Sequence, residues 1–228
     1  MEEVIVRQLG NMDYKESWDL QQQLVEEVIF NKKNKVPGHK TKHYFLFCEH
    51  PHVYTLGKSG NENNLLLNAE GLQKHKASFY KINRGGDITY HGPGQVVGYP
   101  ILDLDCFFTD IKKFVTYIEE AAIRTIAEYG LHGVRIEGMS GVWLKATTSR
   151  PDRKICAIGI HLSRWVTMHG FALNVNTDLS YFNHIIPCGI TDKAVTSIKN
   201  EIEQDIDIQE VIDKLNKHFQ ELFNYKIL

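Results

Sequence analysis

The chain is short of several residue types, and each shortage closes off a class of protein. It has four cysteines in 228 residues, at Cys48, Cys106, Cys156 and Cys188, widely spaced and with no CxxC. That excludes a disulfide scaffold, a zinc knuckle and a thioredoxin-type redox pair, and leaves free thiols as the expectation. Cys48 and Cys156 sit in the apolar runs YFLFC and KICAIGI and read as small buried hydrophobes. Neither sign of charge is in excess: the net charge is −2, and no basic block is present to suggest nucleic acid. No apolar run approaches the roughly 18 residues of a membrane span, and the acidic start MEEVIVRQLG is no secretory signal. A cytoplasmic protein that binds neither membrane nor nucleic acid is the expectation. The GxGxxG dinucleotide fingerprint and the phosphate-binding GxxxxGK[ST] are both missing. Eleven histidines are present, but His39 and His43 fall in a polar Pro/Gly loop and His50 and His52 bracket Pro51. No third ligand follows at useful spacing, so no metal site is expected.

What remains is a chain with 43% apolar and 24% charged residues, long enough to bury a core without cross-links. It has no repeat, low-complexity tract or linker, so one domain over residues 1–228 is expected. VIVRQL reads as a strand, and Asp13–Phe30 as a helix capped by Asp13. Asn31–Lys42 reads as an exposed loop, and 44–48 and 52–57 as short strands. Ala69–His75 suits a short helix. Residues 78–82 and 95–102 read as strands on either side of a glycine-rich turn. Asp110–Tyr129 is the clearest helix, with Asp110 as cap and Gly130 at its end. GVRIEG, SGVWLK, KICAIGIHL and VTMHGFALNV predict an antiparallel meander, with 145–153 as a loop inside it. Asp178–His184 reads as a short helical or turn segment that Asp178 caps, and Ile208–Phe223 as a closing amphipathic helix. Strands and helices mix without a βαβ rhythm, so the fold class is α+β, with mixed and antiparallel sheets and flanking helices.

Residues 84–104, RGGDITYHGPGQVVGYPILDL, concentrate five glycines, two prolines and one histidine. Such a segment fills a core poorly and suits close approach of backbone to a ligand. By composition alone, a structural hairpin and a ligand loop fit equally. The string RGGDITYHGPGQ resembles the signature of the lipoyl(octanoyl) transferases, RGG-x-x-TYHGPGQ. Further on, KICAIG, HGFALN and PCGI are similar to three successive motifs of the same family. The resemblance runs from about Tyr44 to Ile198. It implies the fold of the biotin and lipoate protein ligase catalytic domains, and an enzyme with no cofactor. The implied reaction moves octanoyl, or lipoyl, from acyl carrier protein to a lysine of lipoyl domains, the first step of endogenous protein lipoylation. Donor and acceptors would be octanoyl-acyl carrier protein and the lipoyl domains of 2-oxoacid dehydrogenase complexes and the glycine cleavage H protein. The enzyme would act as a monomer. The resemblance also implies Cys188 as nucleophile and Lys154 as the lysine that activates it. Substrate contacts would come from Arg84, Gly85, Gly86, Asp87, Ile88, Thr89, Tyr90 and His91, from Ala157, Ile158 and Gly159, and from His169, Gly170, Phe171 and Ala172.

The chemistry of these residues stands beside the resemblance. Exchange of one thioester for another is nearly balanced in energy, so an acyl-enzyme can form and remain reactive, and a nearby ammonium favours the thiolate that starts it. Cys188 lies in Pro-Cys-Gly, a turn context that presents sulfur, and the N–H groups of Cys188 and Gly189 are candidate oxyanion donors. Read apart from the family, Lys154 is also a solvated residue at a strand start, and Cys188 also an apolar filler. His91 and His169 make a cysteine–histidine pair a competitor to cysteine–lysine. The lysine pairs at 32–33 and 112–113 read as solvated, with docking of an acidic carrier as a second role. Two other functions compete: an ATP-dependent lipoate–protein ligase, against which the HGPGQ continuation and PCGI stand, and a non-catalytic acyl-binding module, which would not require Cys188 or Lys154.

Overall fold

The computed structural model describes residues 1–34, 41–186 and 193–228. In chain order the elements are β1 Glu2–Asn11, α1 Tyr14–Lys33, β2 His43–Glu49, β3 Val53–Leu56, α2 Ala69–Lys74, β4 Ser78–Lys81, β5 Ile88–His91, β6 Gln95–Ile101 and α3 Ile111–Ala127. There follow β7 Gly133–Ile136, β8 Met139–Leu144, β9 Arg153–Ser163, β10 Val166–Asn174, β11 Ala194–Val195, α4 Ile198–Ile202, α5 Ile208–Phe223 and β12 Tyr225–Ile227. The large sheet runs β12-β1-β2-β6-β10-β9-β8-β7, with β11 added beside β9, and a smaller sheet runs β4-β3-β5. The pairs β12/β1, β1/β2, β11/β9 and β3/β4 are parallel, and the meander β7–β10 is antiparallel. The class is α+β, as expected.

Period-2 alternation decides which helix covers which face. In β2, Phe45 and Phe47 point to one side and Tyr44, Leu46 and Cys48 to the other. The first side receives α3 and α5 through Phe114, Ile118, Ile126, Leu215, Phe219 and Phe223. The second receives α1 through Leu24, Val25 and Val28. β2 and β6 are buried on both faces and therefore read as unbroken apolar runs. Phe219 stands edge-on to Phe45 at 4.6 Å and stacks on Phe171 at 5.4 Å. Burial of a ring of that size contributes about 1.5–3 kcal/mol. Each long helix starts on an aspartate whose carboxylate accepts an otherwise unpaired N–H: Asp13 from Lys15 (2.8 Å), Asp110 from Lys113 (2.9 Å) and Asp207 from Gln209 (2.9 Å).

Three readings of the sequence change. The glycine-rich segment is not one turn between two strands, because Ile88–His91 is itself strand β5, paired antiparallel with β3. Its β-branched and aromatic residues suit a pleated surface better than a turn. Helix α1 runs on to Lys33, and Lys32 is not solvated: its ammonium lies 2.7 Å from Asp103 and 2.6 Å from Asp105. Finally, β11, α4 and β12 are too short to announce themselves by periodicity. The loop readings at Pro37, Gly38 and His39 lie outside the described residues.

Candidate active site

Strands β5, β6, β9 and β10 enclose a cavity of about 140 Å³. Of the residues expected to contact substrate, Arg84, Gly86, Asp87, Ile88, Thr89, His91, Ala157, Ile158, Gly159, His169, Gly170, Phe171 and Ala172 line it, together with Lys154. Gly85 and Tyr90 do not appear on its wall. Gly85 N–H donates to the Ile160 carbonyl at 2.9 Å and ties the loop to β9. Tyr90 is fully buried behind the wall, its hydroxyl 2.7 Å from His52 Nδ1 and its ring stacked on Tyr181. Other residues complete the wall: Tyr14 from α1, Gln95, Val97 and Tyr99 from β6, Ser140 and Trp143 from β8, Asn174 from β10, Phe182, and Lys193, Ala194 and Val195. Gln95 and Asn174 stood inside the RGGDITYHGPGQ and HGFALN strings. Tyr14 and Trp143 carried no local signal.

Lys154 is placed by three strands. It faces Trp143 of β8 in the antiparallel register and Val195 of β11 in the parallel one, and its carbonyl accepts the Thr196 N–H at 2.9 Å. Its ammonium lies 4.6 Å from the centre of the Trp143 ring, with Lys193 Nζ at 5.9 Å from the same ring. A cation over an indole face is attracted by the ring quadrupole, which holds the flexible side chain in one place. The preceding residue anchors the strand: Arg153 makes a two-pronged bridge to Glu201 at 2.6 and 2.7 Å. That guanidinium and a hydrogen bond from Thr196 hold the Glu201 carboxyl below its usual range. Cys188, with Gly189, lies outside the described residues. Phe182, which precedes it in the chain, and Lys193–Val195, which follow it, line the cavity.

Arg84 crosses under the floor. Its Nη2 donates to the Thr55 carbonyl at 2.6 Å and its Nη1 to the Gly85 carbonyl at 3.0 Å. Burial pushes the His91 imidazole down to about 3, with His50 and Arg84 adding to the effect, so the ring is neutral. His169 is lowered to about 3 as well, by burial and then by Arg84. It holds a left-handed backbone (φ 59°) within a strand, with its N–H donated to Gln21 Oε1 and its Nε2 2.8 Å from Asn83 Oδ1. Such strain persists only where the surroundings enforce it. Burial raises the Cys48 and Cys156 thiols well above their ordinary range, which makes both inert fillers.

The glycines where β6 and β10 pack together are explained by strand packing. A Cβ on Gly170 would fall 2.1 Å from the Gly98 carbonyl oxygen, and one on Gly98 would fall 2.3 Å from the Phe171 ring. A separate cluster with ligand-type side chains, Glu2, His43 and Cys106, lies elsewhere. There His43 Nδ1 accepts the Asp103 N–H at 3.2 Å, so the neutral ring keeps its proton on Nε2, the nitrogen facing Glu2. Metal ligation through Nε2 would require an imidazolate, so the donor set does not suit a cation.

A mixed sheet flanked by helices and enclosing a mostly apolar cavity, with Lys154 and Lys193 on its wall, defines an acyl-handling α+β domain. The same fold is seen in a bi-partite lipoate protein ligase from Thermoplasma acidophilum (TM-score 0.67, 16% identity, 100% of this chain and 86% of that one). The lipoyl protein ligase A/B catalytic domain model matches residues 13–220, and the chain belongs to that family. Within it, the chain is 60% identical to an octanoyltransferase of Christiangramia forsetii, over 99% of this chain and 97% of that protein. It is 55% identical to an octanoyltransferase of Flavobacterium psychrophilum, over 98% and 97% respectively. The chain is an enzyme of octanoyl transfer, serving protein lipoylation. Among the described residues no helix is long and apolar enough to cross a membrane.

Proposed function

We propose that the enzyme takes octanoyl from octanoyl-acyl carrier protein and delivers it to a lysine of a lipoyl domain, by way of a thioester on Cys188. The observation that carries this reading is the cavity itself. Its wall is dominated by Val97, Trp143, Ile158, Phe171 and Ala172, which suits an alkyl chain, and Lys154 stands at its edge over Trp143. Phe182 and Lys193–Val195, on either side of the segment that holds Cys188, line the same cavity.

The chemistry balances without a cofactor. Lys154 takes the Cys188 thiol proton, and the thiolate attacks the donor's thioester carbonyl. The oxyanion collapses, the carbon–sulfur bond to the donor breaks, and the departing thiolate takes a proton back from Lys154. In the second half, the acceptor's lysine amine attacks the acyl-enzyme carbonyl. Cys188 leaves as thiolate, an amide forms, and Lys154 carries the proton lost by the amine to the sulfur. The acceptors fitting this reading are lipoyl domains of 2-oxoacid dehydrogenase complexes and the glycine cleavage H protein.

The test is the intact mass of the protein after incubation with octanoyl-acyl carrier protein, beside a Cys188→Ser variant. One octanoyl adduct on the wild type, absent from the variant, is expected. No adduct, with amide formed only from free octanoate and ATP, would overturn the reading in favour of ligase chemistry.

A further inference from the structure

A chain of buried amides runs from the backbone of Lys154 to His91. The Thr196 N–H donates to the Lys154 carbonyl at 2.9 Å, and the Thr196 carbonyl accepts from Asn174 Nδ2 at 3.0 Å. Asn174 Oδ1 accepts from Gln95 Nε2 at 2.9 Å, and that same Nε2 is 3.2 Å from the Tyr90 carbonyl. Gln95 Oε1 lies 2.8 Å from His91 Nδ1. Gln95 and Asn174 are 1% and 4% exposed, so water does not compete for these contacts.

The direction of this chain is not a matter of choice. Backbone carbonyls only accept, and two of them anchor it. Turning the Asn174 amide would set its oxygen against the Thr196 carbonyl; turning Gln95 would set its oxygen against the Tyr90 carbonyl. Each flip leaves two buried acceptors facing one another, a cost of about 1–3 kcal/mol for each unsatisfied group. Gln95 Oε1 is therefore an acceptor, and His91 Nδ1 must carry the ring proton. The neutral ring has only that proton, so its Nε2 is a bare lone pair. Nε2 has no hydrogen-bond partner among the described residues, and His91 lines the cavity.

We infer that Gln95 and Asn174 are positioning residues that hold His91 in the Nδ1–H tautomer, so that Nε2 accepts a hydrogen bond from the incoming lysine amine. The inference rests on the thioester reading above for the identity of the amine. In the acyl-enzyme the Cys188 sulfur has lost its proton, so the acyl carbonyl and the thioester sulfur only accept, whereas the attacking amine brings N–H donors. An acceptor on the cavity wall can orient the amine's lone pair toward the carbonyl, and it does nothing for the developing oxyanion. His91 thus serves the second half-reaction.

The test begins with the wild-type protein labelled with ¹⁵N-histidine, His91 being assigned by the signal lost in His91→Gln. Long-range proton–nitrogen correlation distinguishes the tautomers directly. A protonated Nδ1 and bare Nε2 are expected; a proton on Nε2 overturns the inference without any variant having to fold. Gln95→Met, similar in length, removes the acceptor, and Gln95→Glu keeps one. The Met variant is expected to lose the Nδ1–H tautomer and the Glu variant to retain it. In single turnovers, Met should slow transfer from the octanoylated enzyme to a lipoyl-domain lysine by about tenfold. Acylation of the enzyme by a small octanoyl thioester should be slowed by several-fold less than the transfer step. Wild-type transfer by the Met variant, or equal slowing of both half-reactions, overturns the inference. Absence of any acyl-enzyme on the wild type would defeat the thioester reading instead, while the tautomer measurement would still decide the hydrogen-bond chain.

Discussion

Gly170→Ala asks whether strand packing, and not ligand contact, explains the glycine of the HGFALN motif. Gly170 on β10 faces β6 where Gly98 and Pro100 lie. The added methyl carbon would stand 2.1 Å from the Gly98 oxygen and 2.8 Å from Pro100 Cδ, closer than the 3.0 Å below which real Cβ contacts essentially never occur. The nearest atom is backbone, so no rotamer change relieves it. The strands must part by roughly 1 Å from a normal spacing of about 4.8 Å. That movement would weaken the β10–β6 ladder from Phe171↔Gly98 to Asn174↔Gln95. Overpacking a dense interior costs typically 1–3 kcal/mol, and a backbone clash belongs at the top, at about 3. At about 2–4 °C per kcal/mol for a chain of this size, the melting temperature should fall by about 6–12 °C. Urea unfolding should show a lower midpoint with an unchanged slope. Gly130→Ala is the control. Gly130 has φ 76° with nothing within 4 Å of its would-be Cβ, so it should lose only the roughly 1 kcal/mol expected of a strained backbone. A Gly170→Ala stability within about 0.5 kcal/mol of wild type, as at an unconstrained surface site, would refute the packing argument.

Other perturbations probe the lysine, the cysteines and the buried histidines. Glu201→Gln should cost about 3–5 kcal/mol in denaturant unfolding, because Arg153, only 10% exposed at its side chain, loses its charge partner. An unchanged unfolding midpoint would show that the bridge does not anchor β9. Cys188→Ala should abolish transfer, whereas Cys156→Ala, a fully buried filler, should keep most activity and lose about 1 kcal/mol of stability; the reverse pattern of activities would overturn the site assignment. Stability should also depend on pH in a predictable direction. His50, His91 and His169 are held neutral by burial, at about 4, 3 and 3 against an ordinary 6.5. Folding thus depresses proton affinity, and the stabilisation present above pH 6.5 is lost as pH falls toward 4 and then 3. Glu201, also held low, adds to the loss below about 4.5. Thermal melts from pH 7.5 to 4 should be flat in the upper range and fall steadily below 6.5; a constant melting temperature down to pH 4.5 would contradict neutral burial of the histidines.

Local patterning determined much of this protein before any tertiary contact was considered. Capping aspartates at 13 and 110 and the amphipathic runs after them marked two long helices, and Ile208–Phe223 marked the third. Alternation and turn residues marked the β7–β10 meander. The strings RGGDITYHGPGQ, KICAIG and HGFALN carried fifteen of the residues that line the cavity, as well as Lys154, because each string is a short continuous stretch passing along one wall. Tertiary structure decided the rest. A two-residue strand such as β11 has no period to read and exists because Lys154 of β9 offers it an edge. Trp143 meets Lys154 only through the pairing of β8 with β9, and Tyr14 reaches the cavity only because α1 covers that face of the sheet. Tyr90 belongs to the same string as His91, yet its ring packs against Tyr181 and Phe182 and away from the cavity. The protonation of His91 depends on two backbone carbonyls, of Thr196 and Tyr90, whose positions no local pattern encodes. Sequence spacing sets which face of an element a side chain occupies; which groups then meet across elements, and which of them must donate or accept, follows only from how the strands are registered against one another.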